Sequence, residues 1–291
     1  MSDEALCLCL ARIAVAAGEP VAEIYASGCS ARYKGDASPV TDADLAAERV
    51  ILDRLAAAFP GIPVIAEECV SMGRVPPIGR CFFLVDPLDG TREFIAARTE
   101  FTVNIALIED GRPVAGAIYA PLQRRLWFAD DCAFTLPVAP GADIADVSAR
   151  QRIRVRSPPP TGLVALVSRS HDDRETETWL ERWPVTERRP MGSSLKFCHI
   201  AEGLADVYPR LGQTREWDTA AGHAILSAAG GDVTAPDGRP LHYGDAKSGF
   251  RRFGFVALGG LRIGAELAPL MPRGEAMSGS RPASPPGRSP R

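Results

Sequence analysis

The sequence predicts an α/β fold in which sheets carry helices on their faces and are divided between two lobes. Three observations predict it. Short apolar runs that suit buried strands (62–66, 81–85, 163–167 and 252–258) alternate with segments of helical period. Two runs in the first half, 101–108 and 113–119, are joined at Asp110-Gly111, a dipeptide suited to a tight hairpin. A stretch rich in Ala, Asp and Pro, 137–147, separates that half from one in which strands and helices alternate. The expected division is therefore 1–136, an α+β lobe; 137–271, an α/β lobe; and 272–291, a tail.

In chain order, Ser2 is placed to cap a first helix whose apolar positions Leu6, Leu10, Ile13, Ala17, Val21 and Ile24 recur every three or four residues. Pro20 should kink or interrupt it. A second helix starts after Thr41, with Leu45, Ile51, Leu52 and Leu55 turned inward. Strands at 62–66 and 81–85 run directly into acidic residues, the hairpin follows, and 125–128 adds a strand. Beyond the connection come a strand at 163–167 and helices at 174–183 and 193–202, the latter stopped by Gly203. A strand at 205–208, a helix at 219–229 and a last strand at 252–258 complete the reading.

Composition narrows the function. Of 291 residues, 46% are hydrophobic and 24% charged, which excludes collagen-like, coiled-coil and largely disordered chains. No apolar run approaches the ~18–20 residues of a membrane span. The first residues are acidic, unlike a signal peptide, so a cytoplasmic location is expected, free or loosely touching the inner membrane. Seven scattered cysteines (Cys7, Cys9, Cys29, Cys69, Cys81, Cys132, Cys198) contain no Cys-x-x-Cys pair and read as reduced, mostly buried thiols. The net charge of −3 divides into +3 on the tail and −6 on the rest. An acidic body speaks against a nucleic-acid polymer as partner and suits a small anionic ligand only if metal ions offset the charge. The basic, Pro- and Ser-rich tail reads as disordered.

The sharpest local feature is Asp86-Pro87-Leu88-Asp89-Gly90-Thr91 at the end of an apolar run. A strand there delivers two carboxylates into a stiffened turn. With the free carbonyl of Leu88 they form the oxygen donor set that Mg²⁺ prefers. The amides around Gly90 and Thr91 can face an anion. The alternative is a turn in which an Asp caps the next helix. Glu67-Glu68 ends another strand, as a second acidic cluster or as exposed loop charge. Asp218 opens the helix at 219, where N-capping is the simpler reading. Asp44 lies in the first turn of the second helix, either complementing the helix dipole or holding a hydroxyl or water. Only three lysines stand beside thirty arginines, which draws attention to Lys196, after Gly192-Ser193-Ser194, as a ligand contact or a solvated charge. Phosphate-loop, dinucleotide, nucleophile-elbow and His-Glu-x-x-His motifs are absent, and the four histidines lack ligand spacing.

Taken together, Glu67-Glu68, Asp86-Pro87-Leu88-Asp89-Gly90-Thr91 and Trp217-Asp218-Thr219-Ala220-Ala221-Gly222 resemble the inositol monophosphatase superfamily of Mg²⁺-dependent, lithium-sensitive phosphatases. Thr91-Arg92-Glu93-Phe94, the run Phe101 to Ile108, Ser168-Arg169-Ser170-His171, Gly192 to Cys198 and Ala205 to Arg210 resemble its CysQ-type 3'(2'),5'-bisphosphate nucleotidases. The likeness runs from about Leu6 to Leu258. It implies an αβαβα layered sandwich with the metal site between the lobes and two to three Mg²⁺ ions. Glu67, Asp86 and the Leu88 carbonyl would hold the first ion, Asp86, Asp89 and Asp218 the second, and a weaker third would rest partly on Glu67. Thr91, hydrogen-bonded to Asp44, would help take the proton of an attacking water, with Glu67 beside it in the catalytic set. The Gly90 and Thr91 amides would hold the phosphate. Ser193, Lys196 and Arg210, and more weakly His171, would contact the rest of the nucleotide. The implied reaction is removal of the 3'-phosphate from adenosine 3',5'-bisphosphate, a by-product of sulfate activation, by a protein favoured as a monomer. An inositol or sugar phosphatase with the same metals is the nearest alternative, and a non-catalytic nucleotide or metal sensor is a further one.

Overall fold

The computed structural model describes residues 3–28, 31–35, 39–144, 147–170 and 173–261. Ser2, Cys29, His171 and the tail lie outside them. Two helices, α1 (Asp3–Ser27) and α2 (Asp42–Ala58), flank the short antiparallel pair β1 (Ala31–Tyr33) and β2 (Pro39–Thr41). Next come β3 (Val64–Ala66), α3 (Glu67–Ser71), β4 (Cys81–Asp89), α4 (Thr91–Ile95), β5 (Thr102–Glu109), β6 (Arg112–Ala120), β7 (Arg125–Ala129), β8 (Ala133–Pro137) and β9 (Gln151–Arg152). The second half runs β10 (Leu163–Ser168), α5 (Arg174–Leu180), β11 (Val185–Met191), α6 (Leu195–Ala201), β12 (Val207–Arg215), α7 (Trp217–Ala228), β13 (Asp232–Thr234) and β14 (Arg251–Leu258).

Among the described residues these strands build one sheet of order β3-β4-β5-β6-β7-β8-β9 and another of order β11-β10-β12-β14-β13. Only β3 runs parallel to its neighbour in the first sheet, and β10 runs parallel to both β11 and β12 in the second. Helices α1 and α2 cover one face of the first sheet, α6 and α7 lie between the sheets, and α5 packs outside on β12. This is the αβαβα sandwich that the resemblance implies.

Sheet periodicity explains why the apolar runs are continuous, not alternating. On β4, Phe83 and Val85 join the core under α1 and α2, while Phe82 and Leu84 join the core shared with α6 and α7. Successive side chains point to opposite faces, so a strand covered on both must be apolar throughout. Asp86 comes two residues after Leu84 and so continues the face turned toward α7. The register then slips between Asp86 and Asp89, where the strand meets β5 at Asn104 and Thr102.

Several local expectations are met and several corrected. Asp110 (φ 49°) and Gly111 (φ 75°) both adopt left-handed backbone, the geometry of a tight hairpin turn. Pro20 does not interrupt α1, because Ala17 and Val21 on either side are fully buried and hold the helix in place. Asp218 is not the cap of α7. The helix starts at Trp217, two residues earlier than expected, and Glu216 occupies the cap. The helix after Ser193 begins only at Leu195, since Ser193 itself takes a left-handed φ of 50°. Of the described cysteines, only Cys7 and Cys198 are fully buried.

The middle layer needs close backbone approach. A methyl group added at Gly116 on β6 would stand 2.9 Å from the carbonyl oxygen of Ala221 on α7. Gly116→Ala should therefore cost about 1–3 kcal/mol through overpacking. Urea unfolding checks this, and an unchanged midpoint would contradict the packing described.

Candidate active site

One cavity of about 530 Å³ opens where the ends of β3 and β4 meet the start of α7 and the loop before α6. Its wall contains Glu67, Asp86, Leu88, Asp89, Gly90, Thr91, Ser193, Lys196, Arg210 and Asp218. Every described residue given a site role by the resemblance thus lines this space, except Asp44, which reaches it through Thr91.

Each acidic side chain is fixed by a different local device. Asp44 closes a capping box: Thr41 donates its backbone N–H (2.7 Å) and its hydroxyl (2.6 Å) to Asp44 Oδ2. The other oxygen, Oδ1, faces the Thr91 hydroxyl at 3.2 Å. Asp44 therefore fills both of the roles that the sequence left open. Asp86 Oδ1 accepts the Leu88 N–H at 3.1 Å. Asp89 Oδ2 accepts the Ser194 hydroxyl. Asp218 Oδ2 accepts the Thr214 hydroxyl and, at 3.1 Å, the Arg215 N–H. The pair Glu67-Glu68 is bridged by Lys34, whose Nζ stands 2.7 Å from Glu67 Oε1 and 2.6 Å from Glu68 Oε1. Among the described residues no three His, Cys, Asp or Glu side chains are closed into a coordination shell. The acids are instead spread along one wall and held one by one.

The turn at Gly90 follows from the same crowding. Gly90 has φ 97°, and a Cβ there would lie 3.0 Å from the Glu100 carbonyl oxygen, so only glycine fits without strain. Thr91 then begins α4, and its hydroxyl stands within 3.1 Å of the Leu88 carbonyl oxygen as well as near Asp44.

The pocket is strongly acidic, with Asp44 and Asp86 buried and the Glu67 side chain 26% exposed. Burial lifts the carboxyl of Asp86 well above its ordinary range, and Glu67, Asp89 and Asp218 add repulsion. Burial also lifts Glu67 to about 8, against the pull of Lys34, and Glu68 to about 7. Asp89 rises to about 6 through burial and the repulsion of Asp218, while Ser194, Lys196 and Arg210 pull it back. Asp44 is raised by burial against its hydrogen bonds from Thr41.

The same cavity also holds cations that act on Asp89. Lys196 is buried, not a solvated charge. Its ammonium donates to the carbonyl oxygens of Met191 (3.0 Å) and Ser193 (2.7 Å) and sits 4.8 Å above the Tyr208 ring. Burial pushes it down to about 8, which Asp89 opposes. Arg210 lies on the same wall. The loop that leads into α6 and Lys196 is gripped from the first half of the chain, where Glu100 accepts the Gly192 N–H at 2.9 Å and pairs with Arg169.

Sequence reasoning missed Lys34, Asn104, Ser194 and Thr214. The scarcity of lysine was a usable signal for Lys34. Asn104 and Ser194 carry ordinary polar side chains whose importance depends on contacts across the fold, and Thr214 meets Asp218 only four residues away.

The site and fold define a class, and comparison with known proteins names it. Residues 4–251 match the inositol monophosphatase family, and the chain belongs to that family of phosphatases. It is similar to the 3'(2'),5'-bisphosphate nucleotidase CysQ of Salmonella typhimurium, with 43% identity over 81% of this chain and 94% of that one. The corresponding CysQ of Buchnera aphidicola is 40% identical over 85% of this chain and 91% of its own. Among solved structures, CysQ from Bacteroides thetaiotaomicron superposes with a TM-score of 0.74 and 35% identity, covering 89% of this chain and 98% of that one. Among the described residues no helix is long and apolar enough to cross a membrane.

The acidic wall makes a pH prediction. A carboxyl whose folded pKa is raised above its unfolded value favours the protonated folded state, so its contribution to stability is lost as pH rises through the shifted value. The shifts on Asp89, Glu68 and Glu67 place that loss between the ordinary carboxylate range and about pH 8. In the presence of a chelator the melting temperature should fall from pH 5 to pH 8. The rise in melting temperature on adding a divalent cation should be larger at pH 8 than at pH 6. A pH-independent melting temperature would contradict the charge distribution described.

Proposed function

We propose that the chain is a Mg²⁺-dependent 3'(2'),5'-bisphosphate nucleotidase. It hydrolyses the 3'-phosphate of adenosine 3',5'-bisphosphate to AMP and phosphate, and admits 3'-phosphoadenosine 5'-phosphosulfate to the same pocket. The observation that carries this reading is a cavity whose lining combines the acids Glu67, Asp86, Asp89 and Asp218 with the cations Lys196 and Arg210. A ligand with two anionic groups suits this lining, one group beside the acids with divalent cations and the other on Lys196 and Arg210. The names of the relatives at 40–43% identity support the same substrate class.

The donors fit a hard divalent cation, since all are carboxylate or carbonyl oxygens and none is thiol or imidazole. In this reading Glu67, Asp86 and the Leu88 carbonyl would hold one ion, and Asp86, Asp89 and Asp218 a second. A third would rest partly on Glu67 after Lys34 gives way. Such ions supply charge that offsets the phosphate dianion, acidifies water and steadies the leaving oxygen.

The chain's own residues then have few tasks, in keeping with a loose transition state in which positioning and charge dominate. The Gly90 and Thr91 amides hold the phosphate. Asp44, fixed by Thr41, accepts the Thr91 hydroxyl proton. The Thr91 oxygen therefore presents a lone pair to an attacking water and takes its proton. As the new P–O bond forms, the bond from phosphorus to the ribose 3'-oxygen breaks, and that oxygen leaves with a proton from solvent. Ser193, Lys196 and Arg210 hold the rest of the nucleotide. No protein nucleophile is needed. The protein acts in the cytoplasm on a small molecule.

Phosphate release tests the reading. With Mg²⁺, adenosine 3',5'-bisphosphate should be turned over rapidly and in a lithium-sensitive manner, and inositol 1-phosphate slowly. The reverse preference would move the function to inositol phosphates, and cation binding without turnover of either would make the protein a sensor. Asp44→Asn should lower kcat by about 10²–10⁴-fold while leaving KM within a few-fold. Arg210→Ala should raise the nucleotide KM by about 10–100-fold, as expected for one charged contact, without changing turnover of inositol 1-phosphate. Equal effects on both substrates would remove Arg210 from the nucleotide pocket.

A further inference from the structure

One pair of buried polar residues has no part in the mechanism above. Asn104 is 1% exposed and Ser194 2% exposed, and they meet across the two halves of the chain, 90 residues apart. Asn104 lies on β5 directly opposite Asp86, and Ser194 precedes α6. Burying two such groups is unfavourable unless their hydrogen bonds do specific work.

The donor count fixes the direction of the chain of bonds. Asn104 Nδ2 donates to Ser194 Oγ at 2.7 Å. A hydroxyl has one proton, and Ser194 directs it at Asp89 Oδ2. Among the described residues its only other acceptor in reach is the Asp218 carbonyl oxygen at 3.4 Å, a much poorer partner than a carboxylate. The relay therefore runs one way, from the Asn104 amide through Ser194 to Asp89. It occupies one carboxylate oxygen and leaves Oδ1 without a protein hydrogen bond among the described residues.

Ser194 also sits at a junction. It adjoins Ser193, whose left-handed backbone is costly for a non-glycine residue. The Ser193 carbonyl is in turn held by Lys196 at 2.7 Å. A short, strained loop thus connects Lys196 to the carboxylate of Asp89.

We propose that Ser194, backed by Asn104, is the positioning residue that orients the Asp89 carboxylate for a divalent cation, and that it does not itself contact the nucleotide. This rests on the reading of Asp89 as a cation ligand. Removing a hydrogen-bond partner of a metal ligand commonly costs 10–100-fold in metal affinity, and that range is expected for Ser194→Ala. Ser194→Thr keeps the hydroxyl and should stay within about three-fold of wild type.

The test is titration of the chelator-treated full-length protein with Mn²⁺, followed by calorimetry and by the rise in melting temperature, for wild type, Ser194→Ala, Ser194→Thr and Asp89→Asn. Ser194→Cys, close in size but a weak donor, replaces the alanine variant should that one fail to fold. At saturating cation the KM for adenosine 3',5'-bisphosphate should be unchanged in Ser194→Ala, while the cation concentration for half-maximal turnover rises with the binding constant. Wild-type cation affinity in Ser194→Ala would overturn the proposal, as would a raised nucleotide KM at saturating cation. If Asp89→Asn binds Mn²⁺ as tightly as wild type, the reading of Asp89 itself falls and the proposal with it.

Discussion

Mutual repulsion among carboxylates withdrawn from water is the constraint on which the rest of the structure depends. Asp44 and Asp86 are almost fully buried, and Glu67, Asp89 and Asp218 share the same cavity wall. Charges of one sign at close range in a medium less polar than water repel strongly, and each buried charge also loses its hydration. A chain can tolerate this only by fixing each group separately. Thr41 does so for Asp44, the Leu88 amide for Asp86, Ser194 for Asp89, Thr214 for Asp218 and Lys34 for Glu67. The pinning partner is neutral in every case but the last.

The sandwich architecture provides those partners. Strand β4 is covered on both faces, so its apolar run fixes the direction in which Asp86 emerges, and the slip in register that follows brings Asp89 opposite Thr102. Helix α7 packs so closely on the first sheet that Gly116 has no room for a side chain, and this carries Asp218 to the same wall. The loop from Gly192 to Ser194 is held by Glu100 from the first half of the chain. The site is thus assembled from both halves, and its precision rests on the packing of the layer between the sheets.

Much of this was legible in the sequence, for identifiable reasons. The motif at Asp86–Thr91 could be read because strand, turn and ligand set are contiguous, and the hairpin at Asp110-Gly111 because the turn's backbone demand is local. Asp218 was harder. An Asp near a helix start normally caps it, and only the hydrogen bonds from Thr214 and the Arg215 N–H, just before the helix, show the side chain turned away from that task. Lys196 was equally ambiguous, because one lysine on a short helix gives no sign that its ammonium will be enclosed by Met191, Ser193 and Tyr208. Ser194 and Asn104 were illegible, since their function depends on a contact between segments 90 residues apart. Pro20 shows the opposite limit, where strong burial on both sides overrides a local preference.

The central claim is that these separately pinned carboxylates form one cation-binding wall facing a nucleotide pocket. The most direct measurement is anomalous scattering from crystals soaked in Mn²⁺ with adenosine 3',5'-bisphosphate and an inhibiting concentration of lithium. The account predicts manganese peaks against Glu67, Asp86 and the Leu88 carbonyl and against Asp86, Asp89 and Asp218. It also predicts the 3'-phosphate beside Gly90 and Thr91, with the rest of the nucleotide against Ser193, Lys196 and Arg210. Manganese bound elsewhere, or a nucleotide seated away from this wall, would contradict it.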